Sequence, residues 1–156
     1  MVNKLCHYRL AILLIGSALA PLALPAAENE PNSVATMKEA LDLAADDGRL
    51  VFVELMAWNC PHCQAFEKTV LDSKVFQEYA SESLHLVFYD IKRQSRLTRE
   101  QRNEIAELIK EHQVKFTPAI LVFSPDGALL LETTGYNGTA PEKIVEHLES
   151  LENRDD

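Results

Sequence analysis

The stretch LVFVELMAWNCPHC at positions 50–63 decides how this chain is read. Its first half, Leu50 to Met56, is almost wholly apolar and rich in β-branched residues, the pattern of a strand buried on both faces inside a helix-flanked sheet. Its second half turns that strand into a helix, because Pro61 suits a first helical turn, where its missing N–H costs nothing. The junction puts Cys60 at a helix entrance. Unpaired N–H groups and the positive end of the helix dipole favour a thiolate there, and a thiol of ordinary pKa near 8.5 can fall to about 3.5–7.5 in such a setting. Cys63, one turn on and deeper, is placed to attack a mixed disulfide formed at Cys60, which is dithiol–disulfide exchange.

Two other readings of the pair stand beside exchange. A structural bridge would close only a four-residue loop and stabilise weakly. A metal site using both thiols with His62, or with another histidine, finds no second ligand pair at zinc spacing. Glu54 is the odd member of the strand. A carboxyl inside an apolar strand has its pKa raised by desolvation, which fits a proton acceptor for the deeper thiol. At a strand edge reaching water it would be an ordinary surface acid.

Working outward, Met37, Ala40, Leu41 and Ala44 recur at helical spacing, with Thr36 and Glu39 at capping-box spacing and Gly48 as a stop. After the cysteines comes a helix-compatible stretch carrying Phe66, Val70, Phe76 and Tyr79, then Leu84 to Ile91 as a second buried strand. Thr98 and Gln101 start another capped helix, whose Ile105, Leu108, Ile109 and His112 share a face. Ala119–Phe123 and Leu129–Thr133 flank the turn sequence Ser124-Pro125-Asp126-Gly127 and predict an antiparallel hairpin. A last helix starts near Thr139 and buries Ile144, Leu148 and Leu151. No separate strand precedes Met37. The order α-β-α-β-α-β-β-α predicts an α/β/α domain of three layers, a mixed sheet of about four strands covered by helices on both sides.

The 156 residues, 47% apolar and 25% charged, suit one globular domain. Leu10 to Ala27 carries no charge and follows Lys4 and Arg9, with Pro21, Pro25 and the small pair Ala26-Ala27 at its end. That is the layout of a signal peptide over residues 1–27, directing the chain to the periplasm or another exported compartment. The same stretch lies at the lower limit of a membrane span, so an uncleaved signal would act as an anchor. Residues 28–33 form a polar lead-in, 34–152 the folded domain and 153–156 a tail. Once residues 1–27 are removed, 13 basic residues face 24 acidic ones, a net charge of −11. Nucleic acid is excluded as a partner, since phosphate neutralisation needs a basic face. Cys6 leaves with the signal, and Cys60 and Cys63 remain as the only thiols, too few for a disulfide scaffold or a four-cysteine zinc site.

The strand, the Trp58-Asn59-Cys60-Pro61-His62-Cys63 junction, the helix after it and Thr117-Pro118 before a strand resemble the thioredoxin superfamily, over about Val34 to Leu151. The resemblance implies a thioredoxin-like fold and a redox-active Cys60–Cys63 disulfide with no small-molecule cofactor and no metal. It implies that Cys60 is the nucleophile, Cys63 the resolving thiol, Glu54 the buried acid and Pro118 a cis-proline facing the site. Thr117 would then pair through its backbone with an extended substrate. Gln64-Ala-Phe-Glu-Lys68 and Asp72-Ser-Lys-Val75 are similar to periplasmic domains that reduce other exported proteins, whereas Pro61-His62 resembles the DsbA-type disulfide oxidants. Trp58 stands two residues before Cys60, with Asn59 between, and Ala119 replaces a frequent Thr after the proline. There is no room for the inserted helical domain of the DsbA-type oxidants.

The partners implied are exported proteins with cysteines or disulfides and a membrane-bound electron donor or acceptor. His62 can donate to, or pair with, the Cys60 thiolate, and each such interaction makes the disulfide easier to reduce. A reductant or interchange protein is favoured over a net oxidant, because a kinetically supplied membrane donor can drive a protein whose potential lies above that of thioredoxin. A reading of another class is a thioredoxin-scaffold binding module, a metal carrier or holdase. Lys92, Arg93, Arg96, Arg99 and Arg102 crowd five bases into eleven residues, either a solvated loop and helix start or a docking patch for an acidic partner. His85, His112 and His147 read as packing or surface residues.

Overall fold

The computed structural model describes residues 33–152. Along the chain run β1 (Ser33–Val34), α1 (Met37–Asp47), β2 (Leu50–Met56), α2 (Pro61–Phe66), α3 (Lys74–Ser83), β3 (Leu84–Asp90), α4 (Arg99–Glu111), β4 (Ala119–Phe123), β5 (Leu129–Thr134) and α5 (Pro141–Glu152). The strands form one mixed sheet in the order β1-β3-β2-β4-β5. β2 lies at its centre, parallel to β3 from Leu50 opposite Leu84 to Met56 opposite Asp90, and antiparallel to β4 from Val51 opposite Phe123 to Leu55 opposite Ala119. The buried run of β2 thus has a strand on each side and helices above and below.

Side-chain alternation divides the core in two. Phe52, Leu84, Leu86, Ile120 and Val122 meet Phe66 and Val70 after the cysteines, Phe76 of α3 and Leu148 of α5. Val51, Val53, Leu55, Val87, Tyr89 and Leu121 meet Ala40 and Ala44 of α1 and Ile105 and Leu108 of α4. Local chemistry sets the helix ends. Thr36 Oγ1 accepts from the Glu39 N–H at 3.1 Å, and Gly48 closes α1 at φ +81°, a left-handed conformation that glycine adopts without strain. Thr98 and Gln101 form the full reciprocal capping box of α4. In the hairpin the Gly127 N–H closes the turn on the Ser124 carbonyl at 2.9 Å.

Four expectations need correction. The sheet has five strands where about four were predicted, because Ser33 and Val34 pair in parallel with Leu86 and Val87. Two residues are too few to show alternation, and the pairing comes from the free edge of β3, so β1 left no trace in the pattern. Ser33 therefore belongs to the sheet and not to the polar lead-in. The helical stretch after Cys63 is two helices joined by a wide turn over Glu67–Leu71, where the Asp72 N–H reaches back to the Glu67 carbonyl at 2.9 Å. That widening buries Val70 and Leu71 side by side, and Ser73 caps the second helix. In α5 Val145 is buried with Leu148 and Leu151, whereas Ile144, expected in the core, is half-buried and packs against its edge, because the face of the helix that meets the sheet centres on Val145, Leu148 and Leu151. The signal and anchor assignments lie outside the described residues, among which no helix is long and apolar enough to cross a membrane.

Candidate active site

β2 ends at Met56, and a turn closed by the Cys60 N–H on the Ala57 carbonyl at 2.9 Å brings the chain to the helix entrance. Cys60 is the N-cap of α2, with extended backbone at φ −89° and ψ 117°, and Pro61 opens the helix. The Sγ of Cys60 accepts from the Cys63 N–H at 3.3 Å and donates to the Thr117 carbonyl at 3.4 Å. Both cysteines are free thiols; Cys60 is half-buried and Cys63 sealed, 1% exposed.

The two thiols are electrostatically unequal. Burial pushes the Cys60 thiol up, but hydrogen bonds from the Cys63 and Thr117 side chains and from the backbone N–H groups of Cys63 and His62 outweigh it and hold it below its ordinary value. For Cys63 burial wins, the hydrogen bond with Cys60 adds to it, and the thiol is pushed up to about 11. One sulfur is therefore prepared to ionise at the surface, while the other keeps its proton beneath it.

The Thr117–Pro118 peptide bond is cis, and the Pro118 carbonyl accepts from the Gly135 N–H at 2.7 Å. Thr117, half-buried, brings its carbonyl to Cys60 from the loop before β4. Glu54 is 2% exposed, opposite Phe88 and Ile120 in the sheet register. By alternation it shares the face of Phe52, the face that α2 covers. That burial rules out the water-reaching strand edge. His62 is exposed, with its Nδ1 3.1 Å from the Tyr136 carbonyl, and its backbone N–H bears on Cys60. Trp58 is 49% exposed, with the Arg93 guanidinium 4.9 Å from its ring centroid. Among the described residues no group of three or more His, Cys, Asp or Glu side chains is placed to hold a metal ion.

Several functional neighbours were missed by sequence reasoning. Gln64 Nε2 donates to the Trp58 carbonyl at 3.0 Å and ties α2 to the turn before Cys60. Tyr136 packs edge-on against Phe66, ring centroids 5.4 Å apart, while its carbonyl holds His62. A cleft of about 710 Å³ opens beside the cysteines, lined among others by His62, Phe66, Phe116, Tyr136, Ile144 and Leu148. Phe116, 69% exposed, stands directly before Thr117-Pro118. An aromatic residue outside any periodic run was the signal available for it.

A fold of this topology with an ionisable sulfur above a sealed one at the strand–helix junction defines a class, the thiol:disulfide oxidoreductases of the thioredoxin superfamily. A model of the thioredoxin-like domain family matches residues 37–152, and the chain belongs to that family. No curated protein matches the sequence. Among solved structures, one described as DsbH oxidoreductase is similar at a TM-score of 0.67 and 20% identity, over 79% of this chain and 88% of that one. A thioredoxin from Thermus thermophilus is similar at 0.58 and 22%, over 79% and 88% of the two chains. A disulphide isomerase from Xylella fastidiosa Temecula1 is similar at 0.56 and 18%, over 73% and 86%. These likenesses are of fold.

Proposed function

We propose that the protein works in the periplasm as an exported reductant or interchange protein, exchanging its Cys60–Cys63 dithiol with disulfides of other exported proteins. In the reducing direction the Cys60 thiolate attacks one sulfur of a client disulfide, and the other client sulfur leaves as a thiolate. Cys63, losing its proton, then attacks Cys60 Sγ; the client is released with both sulfurs reduced, and the two electrons it gained leave a Cys60–Cys63 disulfide behind. Glu54 is the acceptor this reading assigns to the Cys63 proton. A membrane-bound dithiol donor restores the pair by the same two steps. The loop carrying Phe116 and Thr117 offers an extended client its backbone, and the adjoining cleft a place for an apolar side chain.

The observation that carries the reading is the contrast between Cys60, held below the ordinary value in partial contact with solvent, and Cys63, sealed and held above it. The direction is supported by His62. With its ring on Tyr136, it adds no imidazole to the stabilisers of the thiolate, and the disulfide is correspondingly harder to reduce. The reading is tested by expressing the Cys63→Ala variant with its signal intact and isolating the exported protein under acid quench. Client proteins should be attached through residue 60 and released by dithiothreitol in their reduced form. A Cys60→Ser variant that retains full function would sink exchange in favour of a binding module, and an oxidised Cys60–Cys63 pair that passes its disulfide to reduced clients faster than the reduced pair opens client disulfides would make the protein an oxidant.

A further inference from the structure

The run Lys92, Arg93, Arg96, Arg99 and Arg102 plays no part in the exchange steps, yet the fold sets it beside them. β2 and β3 end level, Met56 opposite Asp90, and the Ile91 N–H bonds the Met56 carbonyl at 2.9 Å. The connection leaving β3 and the turn leading to Cys60 therefore start side by side. Arg93 closes the gap by lying over Trp58, two residues before Cys60.

Two of the five cations have structural work. Arg93 is held between Trp58 and Asp90, at 3.4 Å from the carboxylate, and Arg102 Nη1 caps the carbonyls of Leu97 and Gln94 at 2.5 and 3.4 Å. Lys92, Arg96 and Arg99 are exposed and form no ion pair among the described residues. Arg99 opens α4, where a positive charge opposes the helix dipole. Between residues 90 and 102 five bases face two acids, Asp90 and Glu100, on a chain whose net charge is −9. A local positive field on an acidic body selects what approaches there.

We propose that this patch docks an acidic polypeptide segment of the client and steers the client's sulfur onto Cys60. The proposal rests on the exchange reading and adds the class of substrate. A cysteine-bearing polypeptide is the occupant that fits, because a body resting on this connection, which Arg93 joins to Trp58 two residues before Cys60, is also brought close to the reactive thiol.

The test uses the reduced protein purified from the exported compartment and two synthetic peptides, each with one internal disulfide, identical except for four Asp/Glu residues in one and Ser/Gln in the other. The acidic peptide should be reduced about tenfold faster or more at low salt, with the preference collapsing as added salt shortens the screening length to a few ångströms. Lys92→Gln/Arg96→Gln/Arg99→Gln should erase the preference, and the corresponding glutamate variant reverse it, while uncharged dipyridyl disulfide reacts at an unchanged rate in both. Equal rates on the two peptides, or a preference that survives in the triple variant, would overturn the proposal. Equal peptide rates together with binding to phosphatidylglycerol vesicles that the triple variant loses would assign the patch to a membrane instead. Failure of the unsubstituted protein to react with dipyridyl disulfide would remove the exchange reading itself, a result separable from the others.

Discussion

The N–H of Cys63 donates to the Sγ of Cys60 at 3.3 Å, so the residue that supplies the second thiol also holds the charge of the first. The two titrations should therefore lie far apart. Alkylation of Cys60 by iodoacetamide, followed by mass spectrometry across pH, should show its midpoint below that of an ordinary cysteine, about 8.5. Cys63, at about 11 and sealed, should stay unmodified at neutral pH. Equal reactivity of the two thiols at pH 7 would contradict the geometry.

A thiol at about 11 cannot resolve a mixed disulfide quickly at pH 7 unless something takes its proton. Glu54, 2% exposed on the sheet face covered by α2, is the carboxyl assigned to that task. In Glu54→Gln the first attack by Cys60 should keep its rate, while resolution slows by about 10²-fold or more at pH 7 and recovers as pH rises toward the Cys63 value. Single-turnover kinetics on a preformed mixed disulfide separates the steps. An unchanged second step would leave Glu54 without a role in proton transfer.

The imidazole of His62 faces the Tyr136 carbonyl at 3.1 Å, which bears on the redox potential. A histidine that stabilised the thiolate would move the pair toward the oxidising DsbA value of about −120 mV, away from about −270 mV for thioredoxin. The potential, measured by equilibration with glutathione, should lie nearer the thioredoxin end, and His62→Ala should shift it by less than about 30 mV. A shift several times larger would place the ring on Cys60 in solution.

What the sequence made legible was whatever local chemistry fixes. The almost wholly apolar Leu50–Met56 has the pattern of a central strand, and Pro61 after Cys60 suits the start of a helix, so the cysteines, the hairpin at Gly127 and the cap at Thr98 are legible in the sequence. What stayed hidden depends on partners distant in the chain. The two-residue β1 exists because β3 has a free edge, and the His62 ring is decided by Tyr136, 74 residues on. The wide turn over Glu67–Leu71 was invisible because its residues have the same helical spacing as their neighbours, and only packing of Val70 and Leu71 distinguishes it. Arg93 was read as part of a charge run. Its place over Trp58 follows from two strands ending level, which no linear pattern records.

His85, read as a packing residue, is buried at 5% on β3 with Nε2 3.1 Å from both oxygens of Asp47, the last residue of α1. It therefore ties α1 to the sheet by a polar contact that should appear in the pH dependence of stability. Burial pushes the Asp47 carboxyl up, but hydrogen bonds from His85 and the Arg49 N–H, with the charges of both residues, outweigh it and hold it below its usual value. A carboxyl whose folded pKa is depressed binds fewer protons in the folded state, so its contribution is fully present above the unfolded value of about 3.9 and is lost as pH falls through the folded one. Asp47→Asn should lower the midpoint of urea unfolding at pH 7, and the gap to the unsubstituted protein should narrow steadily below about pH 4. Because Asp47 is 37% exposed, solvent screening keeps the effect modest. A gap that stays constant from pH 7 to pH 2 would mean that the carboxylate charge contributes nothing and that the contact acts through packing alone.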